Sequence, residues 1–189
     1  MRHKYETRGI VLARSPLSEA NALVTLLVPG LGLVCARTQS LRKPSAKLAA
    51  ALTTLTESDL VLVRGNEGWR VAGAVLVQHW SARIVRYESR TRAARVCGLL
   101  LRLVAGEAND SALYPLMRGF FEALALCPDD MHEAAELLTV LRMLSILGLD
   151  AGNLPGEIPI FAPELLGAVR NNRTDYISRI NHGIIASGL

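Results

Sequence analysis

The pattern of hydrophobic and polar positions along this chain changes near residue 80. Before that point, short segments rich in Val, Leu and Ile are separated by Gly, Pro, Ser and Asn, a pattern typical of β-strands joined by turns. Glycine-containing connections at 29–32 and 64–68 predict hairpins, and a longer connection predicts a helical turn at 47–55. This order favours an OB-fold barrel, with a small SH3-like barrel as the alternative. The predicted strands are Thr7–Arg14, Ala22–Val28, Leu31–Arg37, Leu60–Arg64 and Trp69–Val77.

After residue 80, apolar positions recur at helical spacing within long runs of Ala, Leu and Arg. Gly148 is the expected stop of one helix, and three prolines between residues 153 and 163 exclude a continuous helix there. The chain is therefore expected to be multi-domain α and β, with a five-stranded OB-fold β-barrel at 1–80 and an all-α helical domain at 81–189. The predicted helices end at Leu126 and Leu147, after caps at Asp110 or Ser111 and at Asp129 or Asp130, and short closing helices are predicted at 164–170 and 175–186.

Cysteine usage and the absence of targeting patterns indicate a compartment. The three cysteines, Cys35, Cys97 and Cys127, are odd in number and far apart, so they predict neither a disulfide framework nor a four-cysteine zinc site. The sequence shows no secretory signal pattern and no apolar run long enough to span a membrane. We therefore expect a cytoplasmic protein with no membrane association.

Charge is distributed unevenly along the chain. Residues 1–80 carry ten Lys or Arg against five Asp or Glu, whereas residues 128–189 carry four against eight. The basic excess is concentrated after the third predicted strand, in the loop 37–47. A cluster of cations beside a small barrel indicates a phosphate backbone as the ligand, so the first domain is expected to bind nucleic acid.

The sequence contains no recognisable catalytic motif. The segment His132-Glu133-Ala-Ala-Glu136 begins like a zinc-protease helix, but Glu136 stands where the second histidine is needed. No phosphate loop, dinucleotide-binding loop or nucleophile elbow is present. We therefore expect a non-enzyme with no catalytic residue, no metal and no cofactor.

Six cations of the first domain are the candidates for DNA contact. By strand parity, Arg8 and Arg14 are expected on the same side as Ile10 and Leu12, at strand ends where the barrel opens. The alternative is that these are ordinary solubilising charges. Few aromatic residues are available for stacking, with Tyr5 the better candidate because Trp69 is expected in the core, so binding should be driven by phosphate contacts and be indifferent to sequence. The six candidates are Arg8, Arg14, Arg37, Arg42, Lys43 and Lys47.

A second basic set lies in the helical half. It could extend a nucleic-acid track, receive an acidic partner segment, or form a solvated helix face. Arg142 is unusual because it lies in a strongly apolar helix. Arg86 and Arg142 are the candidate partner-binding residues; the other members are Arg83, Arg90, Arg92, Arg95 and Arg102.

An ordered series of short motifs resembles the recombination mediator family RecO. In the barrel half these are Thr7-Arg8-Gly9-Ile10-Val11-Leu12, Ser18-Glu19-Ala20-Asn21, Gly32-Leu-Val34 leading to Ala36-Arg37, and Arg42-Lys43-Pro44-Ser45 with Lys47-Leu48. In the helical half, Leu141-Arg142-Met-Leu144 to Leu147-Gly148-Leu149 is similar to the late core helix of that family.

The resemblance implies an OB-fold joined to a helical domain, in a protein of recombinational repair. RecO proteins bind single- and double-stranded DNA, anneal complementary strands, engage the acidic C-terminal tail of the single-stranded-DNA-binding protein, and work with RecR to load the recombinase. Many relatives carry a four-cysteine zinc module after the helix that here ends at Gly148, whereas 151–161 contains no cysteine, so structural zinc is not expected. The usual glycine after the third-strand arginine is Thr38.

The leading hypothesis is a non-enzymatic DNA-repair mediator. The first alternative is an RNA- or ribosome-associated OB-fold protein, for which the same charges would serve. The second is a protein adaptor, which predicts no salt-dependent affinity for nucleic acid.

Overall fold

The computed structural model describes residues 3–17, 21–38, 46–104, 106–107 and 111–189. Five strands form a closed barrel in the order β1-β2-β3-β5-β4, which confirms the predicted OB-fold. A short helix, α1 (Ala46–Ala51), lies between the third and fourth strands, as expected. The strands are β1 (His3–Pro16), β2 (Ala22–Val28), β3 (Gly32–Thr38), β4 (Thr56–Gly65) and β5 (Gly68–His79).

Alternating apolar residues fill the barrel. Side chains from all five strands and Leu52 form one buried cluster, and Trp69 is among them, as its alternation with Val71 predicts. The residues after α1 are fastened to the barrel because Leu55 N–H donates to the Val11 carbonyl and the Ser58 hydroxyl donates to the Ala51 carbonyl.

β5 closes the barrel between β3 and β4. It pairs with β4 along most of its length but is parallel to β3 over only two residue pairs, Ala36 with Trp69 and Arg37 with Arg70. We call this short parallel ladder the seam. Thr38 continues β3 next to the seam, where it is buried and donates its hydroxyl to the Ala22 carbonyl, so the strand does not end at Arg37.

Contacts divide the chain into two compact units, 1–82 with 105–114 and 83–104 with 115–189. The expected boundary at residue 80 stays a prediction, and segment 105–114 lies with the barrel unit. In the second unit, the largely buried helix α5 packs against α3, α6 and α7. The helices are α2 (Trp80–Arg83), α3 (Tyr87–Leu103), α4 (Leu113–Leu126), α5 (His132–Ile146), α6 (Pro163–Asn171) and α7 (Arg173–Ala186), with a 3₁₀ turn at Asp129–Met131.

Candidate nucleic-acid interface

A register shift in β1 separates two of the predicted contact residues. Arg8 pairs with Asp59 of β4, on the outer face, whereas Arg14 pairs with the core residue Val24 of β2. The shift lies between Val11 and Ala13 and reverses the alternation of side chains. The expectation that Arg8 and Arg14 share a side is therefore wrong. Arg14 lies near the end of β1 and is exposed, whereas Arg8 lies in the middle of the strand.

Two arginines face each other across the seam. Arg37 of β3 and Arg70 of β5 are direct register partners, and both are exposed. Glu67, in the β4–β5 turn, accepts a hydrogen bond from Arg37 at 2.9 Å. Among the residues that the structure describes, the Arg70 side chain has no hydrogen-bond or ion-pair partner. Like charges directly opposite each other on neighbouring strands repel, so this pair is favoured when an anion binds between them.

A third arginine lies beside the seam. Arg64 of β4 is the register partner of Trp69, one position from Arg70 on β5. Its guanidinium lies 5.3 Å from the centre of the Trp69 ring and donates to Glu107 at 3.3 Å. We call Arg37, Arg64 and Arg70 the seam cluster. The pairing register around the start of β5 thus places Arg37 and Arg70 together on the outer face and Arg64 on the face of Trp69. Two carboxylates, those of Glu67 and Glu107, lie near these cations.

The aromatic pair of the barrel lies against the same cluster. The Trp69 indole N–H donates to Glu107 at 2.8 Å, and its ring meets Tyr5 edge-on with 5.1 Å between centroids. Tyr5 is 37% exposed, whereas Trp69 is 5% exposed. This arrangement leaves Tyr5 as the more accessible ring, in agreement with its predicted status as the stacking candidate.

Two other barrel cations are neutralised locally. Arg8 donates to Asp59 at 2.8 Å, and this hydrogen bond, together with the charge of Asp59, raises the pKa of the Arg8 guanidinium. Lys4 donates to Glu6 at 2.5 Å, and the hydrogen bond from Lys4 lowers the pKa of the Glu6 carboxyl. Their contribution to an electrostatic interface is reduced because a phosphate must compete with these carboxylates.

Part of the predicted basic loop lies outside the described residues. This applies to Arg42 and Lys43 and to the side chain of Lys47, whose backbone belongs to α1. Of the six predicted contacts, only Arg37 lies in the seam cluster. Arg64 and Arg70 were missed by the sequence analysis, although a signal existed: with Trp69 and Val71 in the core, alternation points Arg70 outward.

In the helical unit, three members of the second basic set are engaged by acidic side chains. Arg86 forms an ion pair with Asp129 at 2.7 Å, and Arg92 and Arg95 both bind Glu136. Exposed ion pairs also join α6 and α7 to the acidic residues that precede or begin α5: Arg170 with Asp130, and Arg173 with Glu133. The acidic excess of the last 62 residues is thus used largely to pair arginines within the unit.

Arg142 is an interior residue. Its side chain is 1% exposed and donates to the carbonyls of Ile160 and Pro155 at 2.8 and 3.1 Å, while the guanidinium lies 5.1 Å from the Phe161 ring centre. Burial lowers the pKa of this guanidinium. The placement favours a structural role, fastening the proline-rich segment to α5, over the partner contact expected from the sequence.

An apolar groove of about 200 Å³ runs between α3, α5 and α7. Val96, Leu99 and Leu137 line it, and Arg95 and Glu136 stand beside them. Such a groove fits apolar side chains of a peptide, and Arg95 at its edge is already paired with Glu136.

Ser89 and His132 form a buried pair, with 2.8 Å between the hydroxyl and Nδ1. The other ring nitrogen of His132 lies 3.0 Å from the Cys127 carbonyl, so both nitrogens are engaged internally.

In the described part of the chain, no group of three or more His, Cys, Asp or Glu side chains is placed to hold a metal ion. None of the helices in that part is long and apolar enough to cross a membrane.

Comparison with known proteins agrees with the barrel and with the motifs along it. The family described as "Recombination protein O N terminal" matches residues 1–79. A "DNA repair protein RecO" of Heliobacterium modesticaldum is 31% identical over 184 residues, covering 88% of this chain and 64% of the relative. The RecO protein of Dehalococcoides mccartyi is 27% identical over 188 residues, covering 97% and 69%. That of Frankia casuarinae is 32% identical over 148 residues, covering 76% and 60%.

The matched regions span about two thirds of the length of these relatives. The similarity begins with the barrel and continues into the helical unit, because the longer matches cover most of this chain. The chain belongs to the RecO family of DNA repair proteins.

Proposed function

We propose that this protein is a non-enzymatic recombination mediator that binds single- and double-stranded DNA without sequence specificity. In this role it anneals complementary strands and, together with RecR, helps to load the recombinase onto DNA coated by the single-stranded-DNA-binding protein. Family membership supports the repair role, and the distribution of charge on the barrel supports phosphate contact as the means of binding.

The observation that carries the proposal is the seam cluster. Arg37 and Arg70 are held side by side by strand pairing, and Arg64 lies one register position away. The spacing of Arg37 and Arg70 is set by the neighbouring-strand distance of about 4.8 Å. Their guanidinium groups can donate to the same or adjacent phosphates, and phosphate contacts fix a strand without reading its bases. The predicted contacts Arg8, Arg14, Arg42, Lys43 and Lys47 remain part of the proposal as further cations of the barrel unit.

The first experiment measures binding to labelled single-stranded DNA over a salt series. Arg70→Gln should weaken binding to all sequences about equally and should reduce the slope of log affinity against log salt by about 0.7. Arg170→Gln is the matched control, because it removes an exposed arginine from α6 of the helical unit. Wild-type affinity that ignores salt would contradict the proposal, as would an Arg70→Gln variant with altered sequence preference.

Annealing is measured in parallel with two complementary oligonucleotides, one of them fluorescent. We expect accelerated annealing at micromolar protein, because neutralised phosphates allow two strands to approach. Equal or tighter binding to RNA, with no annealing of DNA, would favour the RNA- or ribosome-associated alternative. No nucleic-acid binding at all would favour the adaptor.

For the partner contact, we propose that the acidic tail of the single-stranded-DNA-binding protein docks on the helical unit. The groove lined by Val96, Leu99 and Leu137 supports this placement, because it combines an apolar surface with a cation, Arg95, at its edge. An acidic peptide should bind the wild type more tightly than Arg95→Ala or Arg86→Ala. Arg142→Ala should change affinity only through stability, because the side chain is buried. Affinity unchanged in both surface variants would remove those residues from the site.

A further inference from the structure

We propose that Arg64 and the indole N–H of Trp69 form an oxyanion site for a backbone phosphate, and that Glu107 fills this site with its own carboxylate when no strand is bound. The inference rests on the proposed function and adds to it a binding position and an internal competitor. It concerns only residues of the barrel unit, to which segment 105–114 belongs.

The geometry of the Glu107 carboxylate is that of a bound ligand. Its Oε1 accepts from Trp69 Nε1 at 2.8 Å, and its Oε2 accepts from Arg64 Nη1 at 3.3 Å. Each oxygen therefore has its own donor. A phosphate diester also presents two charged oxygens on one atom, so it can accept from the same two donors.

The donor from Trp69 is fixed in direction by the barrel core. The ring is 5% exposed, packs in the main apolar cluster and is held edge-on by Tyr5. A donor that is already oriented loses little entropy when it binds a ligand. The site is therefore formed before any strand arrives.

The carboxylate that fills the site is replaceable. The Glu107 side chain is 39% exposed and that of Arg64 is 55% exposed, so water reaches their ion pair. An exposed pair of this kind contributes little free energy. Rotation of the Glu107 side chain is enough to release both donors, without disturbing the buried ring.

The site lies one residue along β5 from the Arg37–Arg70 pair, on the other face of the sheet. Arg64 follows Val63, whose register partner is Arg70, and Arg70 in turn pairs with Arg37. Because register partners share a face, Arg64 lies on the face of Trp69, whereas Arg37 and Arg70 point outward. A strand held by Arg37 and Arg70 places a further phosphate at Arg64 only by passing over the β4–β5 turn. Glu107 opposes that step because its negative charge repels the phosphate and its carboxylate occupies the two donors. It therefore lowers the affinity for any nucleic acid.

The test is Glu107→Gln, which keeps the size of the side chain and an oxygen for the indole N–H but removes the charge. Affinity for single-stranded DNA should rise about 3- to 6-fold at fixed salt, the equivalent of one exposed ion pair. The slope against log salt should become steeper by about 0.7, because Arg64 then displaces a counterion. Glu122→Gln is the control, since it removes one exposed carboxylate from α4 of the other unit.

A double variant distinguishes competition by Glu107 for the site from a general electrostatic effect of its charge. The gain from Glu107→Gln should disappear when Arg64→Gln is also present, because the vacated site then lacks its cation. A gain that persists would overturn the inference. In addition, the Trp69 indole N–H resonance, assigned with Trp80→Phe, should shift when an oligonucleotide is added, and an unmoved resonance at saturation would also overturn it.

These results can be distinguished from failure of the proposed function. If neither the wild type nor Glu107→Gln binds DNA in a salt-dependent way, the proposed function fails. If the wild type binds and Glu107→Gln binds no better, only the oxyanion site fails.

Discussion

At the scale of single residues, Arg142 shows how burial changes the role of a charged side chain. The guanidinium lies inside the helical unit, and its two terminal nitrogens donate to backbone carbonyls of the proline-rich segment. Its Nε is buried without a hydrogen-bond partner. A cation in this position stabilises because it satisfies carbonyls that α5 could not otherwise reach.

Arg142→Met should lower the free energy of unfolding by about 2–4 kcal/mol, because two carbonyls lose a charged donor. The measurement is urea denaturation followed by circular dichroism. Arg102→Met is the control, since Arg102 lies on an exposed position of α3 and should change stability by less than about 0.5 kcal/mol. Equal stability of the wild type and Arg142→Met would show that the two hydrogen bonds do not fasten the segment.

At the scale of elements, the end of α5 was readable from the sequence. Gly148 has a φ of 73°, and the turn is closed by Leu149 N–H to the Leu144 carbonyl at 2.8 Å and Gly148 N–H to the Ser145 carbonyl at 3.0 Å. These bonds satisfy carbonyls that the helix leaves free, and only glycine adopts this conformation without strain.

Gly148→Ala should therefore destabilise the protein by about 1 kcal/mol, although a Cβ there meets no atom within 4 Å. Gly98→Ala provides the opposite case. Gly98 lies inside α3 with equally open space, so alanine should stabilise by about 0.5–1 kcal/mol. Thermal denaturation of both variants checks the pair, and a shift of the same sign in both would contradict the backbone explanation.

The same scale shows why part of the interface could not be predicted. The strands follow from alternation, and β2 has the predicted bounds, Ala22–Val28. The face on which Arg14 lies depends on a register shift that no local pattern in β1 reveals. The neighbourhood of Arg37 and Arg70 depends on the pairing of β3 with β5, which are distant in sequence. Periodicity predicts which side chains of one strand lie on the same face. Their partners on other strands depend on how the barrel closes.

At the scale of the whole molecule, most of the arginines described above are paired with carboxylates inside their own unit. Arg8 with Asp59, Arg86 with Asp129 and Arg170 with Asp130 are examples. The chain has a net charge of +4, but its local distribution determines where an anion can bind. The basic half of the chain is recognisable from the sequence, whereas the neutralising partners follow only from the tertiary fold.

The two-residue seam gives the barrel a point of mechanical weakness. The other strand pairs of the barrel are longer, so opening between β3 and β5 disrupts the fewest backbone hydrogen bonds. A phosphate held jointly by Arg37 and Arg70 would bridge the two strands and stabilise their pairing. Amide hydrogen exchange near Ala36 and Trp69 should therefore slow when DNA is added, with no such slowing in Arg70→Gln. The bound DNA would then help to keep the barrel closed. The free energy of unfolding of the barrel would rise as more of its binding surface is occupied.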